Sequence, residues 1–392
     1  MDTVTLPAYP RLSIDPLAIA ESLRADIEAS VAEAESQRRL PSGLREKLRQ
    51  AGALRLFTPV ELGGFELDLP TFLTVLEGFG RIDGSVAWNV WNGSLGFSAA
   101  LLEPRGVELI WGNNSDPFIA NSARVTGAAV PADGGFTLSG RWDIVSAVDA
   151  SDWVALFGVV SEGDGPRFVA PGVPDVRVFY VRRDEIAVLD TWTVSGMRGT
   201  GSNTVIADGV FVDEALAPSP FGPSHIDRPL YRIPAFTLAS CGCAAVVLGM
   251  AQASIDAVIA LAATKATGNG QTLQQRSHAH VAVAEADAKI RSARLLLQET
   301  ASDIMKAAHA GQVTENDRGA FRAAMSHSGR VSRDVVTAMY ELGSSSSLYQ
   351  GNRLERLFRD THAAAQHALL QPGHLETAGR LMMGLDPGVF VF

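Results

Sequence analysis

Residues 190–212 read DTWTVSGMRGTGSNTVIADGVFV, with Gly196, Gly199 and Gly201 close together. A dinucleotide-binding fingerprint needs G-x-G-x-x-G between a strand and a helix, so that the backbone can approach a pyrophosphate. Here Thr204 stands where the last glycine belongs, and the run that follows, NTVIADGVFV, is β-type rather than helical. The dinucleotide reading therefore fails. Two readings stay open for this turn. It is a tight connection between strands, or a loop whose N–H groups and Ser/Thr hydroxyls touch a cofactor.

Working outward, short β-type runs continue on both sides: GGFTLSGRW, DWVALFGVV and VRVFYVRR precede the turn. Turn residues punctuate them at the spacing of a small all-β unit, and we assign residues 118–217 to a middle β domain. Before it, residues 1–117 carry helical periodicity. Asp15-Pro16 and Pro41 open helices, LPTFLTVLEGFGRI is a third, and GSVAWNVWNGSLGFSAALL a fourth. After a proline-rich connector, residues 218–392 return to long alanine-rich helices that suit a bundle, one of them with Thr314 as N-cap and Gly343 as stop. The fold class is α+β, mostly α, in the order helical domain, β domain, helical bundle.

The chain has 392 residues, 46% hydrophobic, enough for two or three domains with a large core. Its net charge of -10, without a dense basic run, argues against a nucleic-acid surface. The two cysteines, Cys241 and Cys243, read as small core residues in a reducing compartment. MDTVTLPAYPRL has neither a basic start nor a long apolar run, so no signal peptide is expected. The apolar segment 241–263 is interrupted by Gln252, Ser254 and Asp256 and reads as a buried helix, not a membrane span. A soluble, cytoplasmic protein is the expectation.

Several chemistries are disfavoured. Asn92 stands two residues before Ser94, so no serine-hydrolase elbow is present. His278 and His280, and His362 and His367, lack the three- or four-residue spacing of ligands on one helical face, so no metal is expected.

The domain order and four local stretches resemble the acyl-CoA dehydrogenase fold: an N-terminal helical domain, a middle β barrel and a C-terminal four-helix bundle. The stretches are TPVELGG (58–64), LSGRWDIVSAVDASDW (138–153), residues 190–212, and ELGSSSSLYQGNRLERLFRD (341–360). The resemblance implies a flavin between β domain and bundle. It implies that Ser146 lies near flavin N5 and that Arg198, Gly199, Thr200 and Ser202 form a turn near the cofactor. It also implies a homotetramer that shares the bundle surface. Read alone, Ser146 is a hydroxyl capping its own turn.

In the dehydrogenase branch, a glutamate nine positions beyond the arginine of Arg-Asp serves as base. Counting from Arg359 lands on Ala368, which cannot accept a proton. One position earlier stands His367. The pattern RDxxxxxxH resembles another branch, the reduced-flavin-dependent monooxygenases, which include hydroxyphenylacetate and steroid-phenol hydroxylases and dibenzothiophene monooxygenase. ETAGRLMMGLDPG (376–388) is similar to that branch as well. Ile144 stands where dehydrogenases carry a tryptophan, whereas Ala147 departs from the branch's usual Ser-Gly.

That resemblance implies a two-component system. A separate flavin reductase supplies reduced FAD or FMN, and O2 reacts with it to give a C4a-hydroperoxide that must be shielded from water. Ser146 would hinder loss of hydrogen peroxide, while His367 would bond the peroxide or deprotonate the substrate. Otherwise His367 is a core histidine with satisfied hydrogen bonds. His362, on a helix spanning LFRDTHAAAQHALLQP (357–372), is a packing group. Trp88 and Asn92, four apart on one helical face, line the pocket of a small phenol- or indole-type substrate, or belong to the interdomain core. The rival functions are an acyl-CoA dehydrogenase with a displaced base, an amino-sugar N-oxygenase of the same fold, and a non-enzymatic scaffold.

Overall fold

The computed structural model describes residues 9–10, 12–163, 165–268 and 270–389. The segment read for a signal peptide lies almost wholly outside the described residues.

The main N-terminal helices are α1 (Arg24–Gln37), α2 (Ser42–Gln50), α3 (Leu69–Ile82), α4 (Gly84–Gly93) and α5 (Pro104–Trp111). Aspartates start two of them: Asp68 caps α3 through Thr71 N, and Asp83 caps α4 through Val86 N. The fourth expected helix is shorter than its sequence suggests. It stops at Gly93, and Leu95–Ala100 continue as a 3-10 turn. Ser94 Oγ bonds back to the Val90 carbonyl at 2.7 Å, which competes with the next helical turn.

Six strands carry the main sheet: β1 (Ile119–Ala132), β2 (Gly135–Val145), β3 (Trp153–Glu162), β4 (Val176–Arg182), β5 (Ala187–Leu189) and β6 (Asn203–Asp213). They pair in the order β4-β3-β1-β2-β6-β5, antiparallel except for the parallel β1/β3 pair. The two outermost strands share no ladder among the described residues. The β2/β6 register slips between Trp142 and Val145, next to Ser146. Such a bulge re-aims side chains at the sheet end.

The last zone holds α6 (Ala235–Ser240), α7 (Gly242–Ala262), α8 (Ser277–His309), α9 (Glu315–Gly343), α10 (Arg353–Ala364) and α11 (Gly373–Met382). Thr314 caps α9 in a capping box with Asp317. The apolar stretch Ala235–Ala262, α6 and α7 together, is long and hydrophobic enough to cross a membrane, yet most of it is buried within the fold. Helix α7 packs on α3 at backbone distance. A Cβ on Gly80 would lie 2.5 Å from the Val246 carbonyl oxygen, and one on Gly249 would lie 2.3 Å from that of Glu77. One continuous apolar core joins helices and sheet, which fixes the seam between them.

Candidate active site

At that seam lies a cavity of about 700 Å³, walled by α4, the ends of β1 and β2, the glycine turn and the chain after α10. Its lining includes Trp88, Asn92, Ser146, Thr200, Ser202 and His367. These six come from four separate stretches of sequence.

Their hydroxyls are wired in one direction. The Trp88 indole N–H can only donate, and it donates to Ser146 Oγ at 3.2 Å. At the other end, Thr200 Oγ1 donates to the Met197 carbonyl at 2.8 Å, so its single proton is spent. Ser202, 2.7 Å from Thr200 Oγ1, must therefore be the donor in that pair. Ser146, 2.9 Å from Ser202, must donate in turn. The protons run Trp88 → Ser146 → Ser202 → Thr200 → Met197. Ser146 Oγ keeps one lone pair and no free proton.

The backbone around this relay is held under strain. Ile144, Ala147 and Met197 adopt left-handed φ of 63°, 64° and 56°. For a β-branched residue such as Ile144 this is a costly conformation, of order 1–3 kcal/mol. The turn is secured from the bundle. Asp360 accepts the Met197 N–H at 2.6 Å, and Arg359 donates to the Ser195 carbonyl while pairing with Glu355. Gly196 permits this contact, since a Cβ there would fall 2.2 Å from the Arg359 carbonyl oxygen. The Arg-Asp pair thus clamps the glycine turn. Burial, with Asp83 nearby, pushes the Asp360 carboxyl up to about 7.

His367 stands across the cavity. Its ring lies edge-on to Trp88 at 5.3 Å and to Trp91 at 5.5 Å between centroids. Nδ1 accepts the Leu369 N–H at 3.4 Å, which assigns the proton of the neutral ring to Nε2. Burial pulls its pKa down to about 4, and the charges of Arg124 and Arg322 act the same way. His367 is therefore a neutral N–H donor at physiological pH and a poor base.

The helix expected over 357–372 ends at Ala364, and His367 is the extended N-cap of a 3-10 turn, Ala368–Leu370. Tertiary contacts override the alanine propensity: Ser326 donates to the Gln371 carbonyl at 3.0 Å, and Leu370 packs on Gly329. His362 instead bonds Thr337 Oγ1 at 3.0 Å and stacks on Phe358. Asn92 bonds the Trp88 carbonyl and Asn121, so its amide is half-engaged by the fold.

Two expected cofactor residues do not line the cavity. Arg198 turns away to the Glu35 and Val194 carbonyls, and the Gly199 carbonyl accepts from Asn89. Conversely, Asn121, Arg124, Trp192 and Met197 line it without having been singled out for it. Trp192 lies within the glycine-turn motif, and its indole N–H donates to the Met197 carbonyl at 3.0 Å.

No aspartate or glutamate lines this cavity among the described residues. Residues 18–103 match the acyl-CoA dehydrogenase N-terminal domain and residues 241–372 its C-terminal domain, together more than half of the chain. The chain belongs to the acyl-CoA dehydrogenase family, in its branch of flavin-dependent two-component monooxygenases. Within this family it is 26% identical to an indole-3-acetate monooxygenase of Pseudomonas putida, over 99% of both chains. It is 29% identical to the flavin-dependent monooxygenase oxygenase subunit HsaA of Rhodococcus jostii (strain RHA1), over 87% of this chain and 90% of that one. Among solved structures, XiaF from Streptomyces sp. in complex with FADH2 and glycerol superposes with a TM-score of 0.90 at 25% identity, covering 96% and 97% of the two chains. The dehydrogenase with a displaced base finds no carboxylate in the cavity, and the family branch supports the oxygenase.

Proposed function

We propose that this protein is the oxygenase component of a two-component monooxygenase. It uses reduced flavin from a separate reductase, and O2, to hydroxylate a small phenol- or indole-type molecule. The observation that carries this reading is the meeting of a one-way hydroxyl relay and a neutral histidine in one cavity without a carboxylate. A dehydrogenase needs a base there to take the proton next to a thioester. This site offers instead a serine lone pair and a histidine N–H.

The cavity suits a flavin. Its volume, its indole walls Trp88 and Trp192, and its hydroxyl cluster match a planar tricyclic ring with one polar edge. Ser146, Thr200 and Ser202 are the residues we assign to hold that edge, and FMN and FAD share the ring that they would meet. When bound, reduced flavin supplies the electrons that activate O2. Ser146 Oγ, with an open lone pair and no free proton, would accept an N–H that only the reduced ring carries, and so would favour the reduced ring over the oxidised one. His367 Nε2–H would donate to the oxygen transferred or to the substrate hydroxyl. Trp88 and Trp91 exclude water from the reacting face.

The aromatic body of the substrate has room in an adjoining apolar cavity of about 530 Å³, which includes Leu95, Phe97, Phe157, Val178 and Phe236. The two cavities share Asn121, Ala123, Phe236 and Ala239. We assign the protein to a homotetramer in the cytoplasm. Supporting the assembly, Ile259, Val281 and Leu295 expose large apolar side chains on α7 and α8.

The test mixes the protein with chemically reduced FMN or FAD, O2 and a panel of phenols and indoles. A hydroxylated product supports the reading. Reduction of enzyme-bound oxidised FAD by an acyl-CoA, without product from the panel, would replace it with the dehydrogenase.

A further inference from the structure

Arg322, on α9, has no solvent exposure. Its Nε, Nη1 and Nη2 all lack a hydrogen-bond partner, and no carboxylate lies within ion-pair distance among the described residues. Its neighbours are the thiols of Cys241 and Cys243, the cation Arg318, and the Phe236 ring, whose centroid is 5.1 Å from Cζ. Burial lowers its pKa to about 10, so it stays charged near neutrality. An unpaired buried cation with five unmade N–H bonds is among the most costly groups a fold can hold. No other arginine among the described residues has all three nitrogens in this state.

Its position explains why the fold would keep it. Phe236 covers the guanidinium and also lines both cavities of the site. One turn along α9, Ser326 donates to the carbonyl of Gln371, which lines the flavin cavity. The charge of Arg322 is felt at His367 and at His374. The guanidinium thus lies behind the cavity wall, one aromatic ring away from the space assigned to substrate.

We infer that Arg322 is the receptor for a carboxylate on the substrate, reached when the Phe236 ring moves aside. The substrate class is then an aromatic acid. Its flat body fills the apolar cavity of Phe97, Phe157 and Val178, and its carboxylate meets the guanidinium fork. A carboxylate matches that fork with two parallel N–H···O bonds and supplies the missing counter-charge. This rests on the oxygenase reading only for calling the ligand a substrate.

The test is calorimetric, on the full chain without turnover. Indole-3-acetate and phenylacetate are compared with their neutral amides. The wild type is expected to bind the acids roughly 10- to 100-fold more tightly than the amides, the range of a charged hydrogen-bonded pair. Arg322→Met, which keeps volume and removes the charge, is expected to bring this ratio close to one. Arg322→Lys, which keeps the charge and loses the fork, is expected to give an intermediate ratio. If Arg322→Met does not fold by circular dichroism, the lysine variant decides. A wild type without preference for the acids, or a ratio unchanged in the folded variant, overturns the inference. Hydroxylation of neutral indole with reduced flavin, measured on the same preparations, reports on the oxygenase reading separately.

Discussion

The Trp88 indole donates to Ser146 Oγ, and through Ser202 and Thr200 the same proton order reaches the Met197 carbonyl. A helical-domain tryptophan therefore fills one lone pair of a β-domain serine, while the Thr200 end of the chain decides where the serine's own proton goes. The two residues are far apart in sequence, and together the two ends of the chain leave Ser146 Oγ one lone pair and no free proton.

The relay has a measurable consequence. Thr200→Val removes the acceptor of Ser202, so Ser202 can turn its proton to Ser146, and Ser146 can offer its own to the cavity. The preference for reduced over oxidised flavin is expected to fall by roughly 5- to 10-fold, about the contribution of one hydrogen bond. Fluorescence titration with oxidised flavin and anaerobic titration with reduced flavin give the ratio. An unchanged ratio in a folded variant would show that the relay does not set the polarity of Ser146.

Asp360 makes stability pH-dependent. Its folded pKa is raised to about 7 from the usual carboxylate value, so its contribution is complete in acid and is lost as pH rises through about 7. Asp360→Asn keeps an acceptor for the Met197 N–H and cannot ionise. The melting temperature of the wild type is expected to fall between pH 6 and pH 8 by more than that of Asp360→Asn. Asp360→Ala leaves that N–H unpaired and is expected to cost about 1–3 kcal/mol at pH 6. Parallel melting curves for wild type and Asp360→Asn across this range would refute the assignment.

His367 is expected to act without titrating. Its folded pKa lies below the ordinary histidine value, so the ring is charged only below about 4 and neutral throughout the working range. The pH–rate profile should show no limb near 6.5 that His367→Gln removes. His367→Ala should lower hydroxylation by roughly 10²-fold or more, as for a lost donor at a reacting oxygen. His362→Ala should do far less, because that ring is occupied by Thr337 and Phe358. A limb near 6.5 that vanishes with His367→Gln would restore it as a base.

Much of this was legible in sequence, and the failures share a cause. The β-type run after the glycine turn forms β6, LPTFLTVLEGFGRI is α3, and Thr314 caps α9, because each depends on local propensity. His367, Ser146, Thr200 and Ser202, matched by motif, share one cavity with Trp88 and Asn92, read from their helical spacing. The end of α10 at Ala364 was not legible, because Gly329 and Ser326 impose it from another helix. Nor was the direction of Arg198, which is set by Glu35 in the first domain. Nothing near Arg322 in the chain announces that its guanidinium is buried unpaired.

The assembly is open to a simple measurement. Light scattering is expected to give four times the chain mass of 41.6 kDa. Leu295→Glu, on the exposed face of α8, should lower that mass without unfolding the protein. A monomer mass for the wild type would remove the homotetramer.

The central claim is that this cavity transfers one atom of O2 to an aromatic ring. It is tested most directly with ¹⁸O2, chemically reduced flavin and a panel of phenols, indoles and aromatic acids, with mass spectrometry of the products. The account predicts one ¹⁸O atom per product molecule, formed by the wild type and nearly abolished in His367→Ala. Reduced flavin consumed at the protein-free rate, with all its electrons recovered as hydrogen peroxide and no labelled product from any member of the panel, would contradict it.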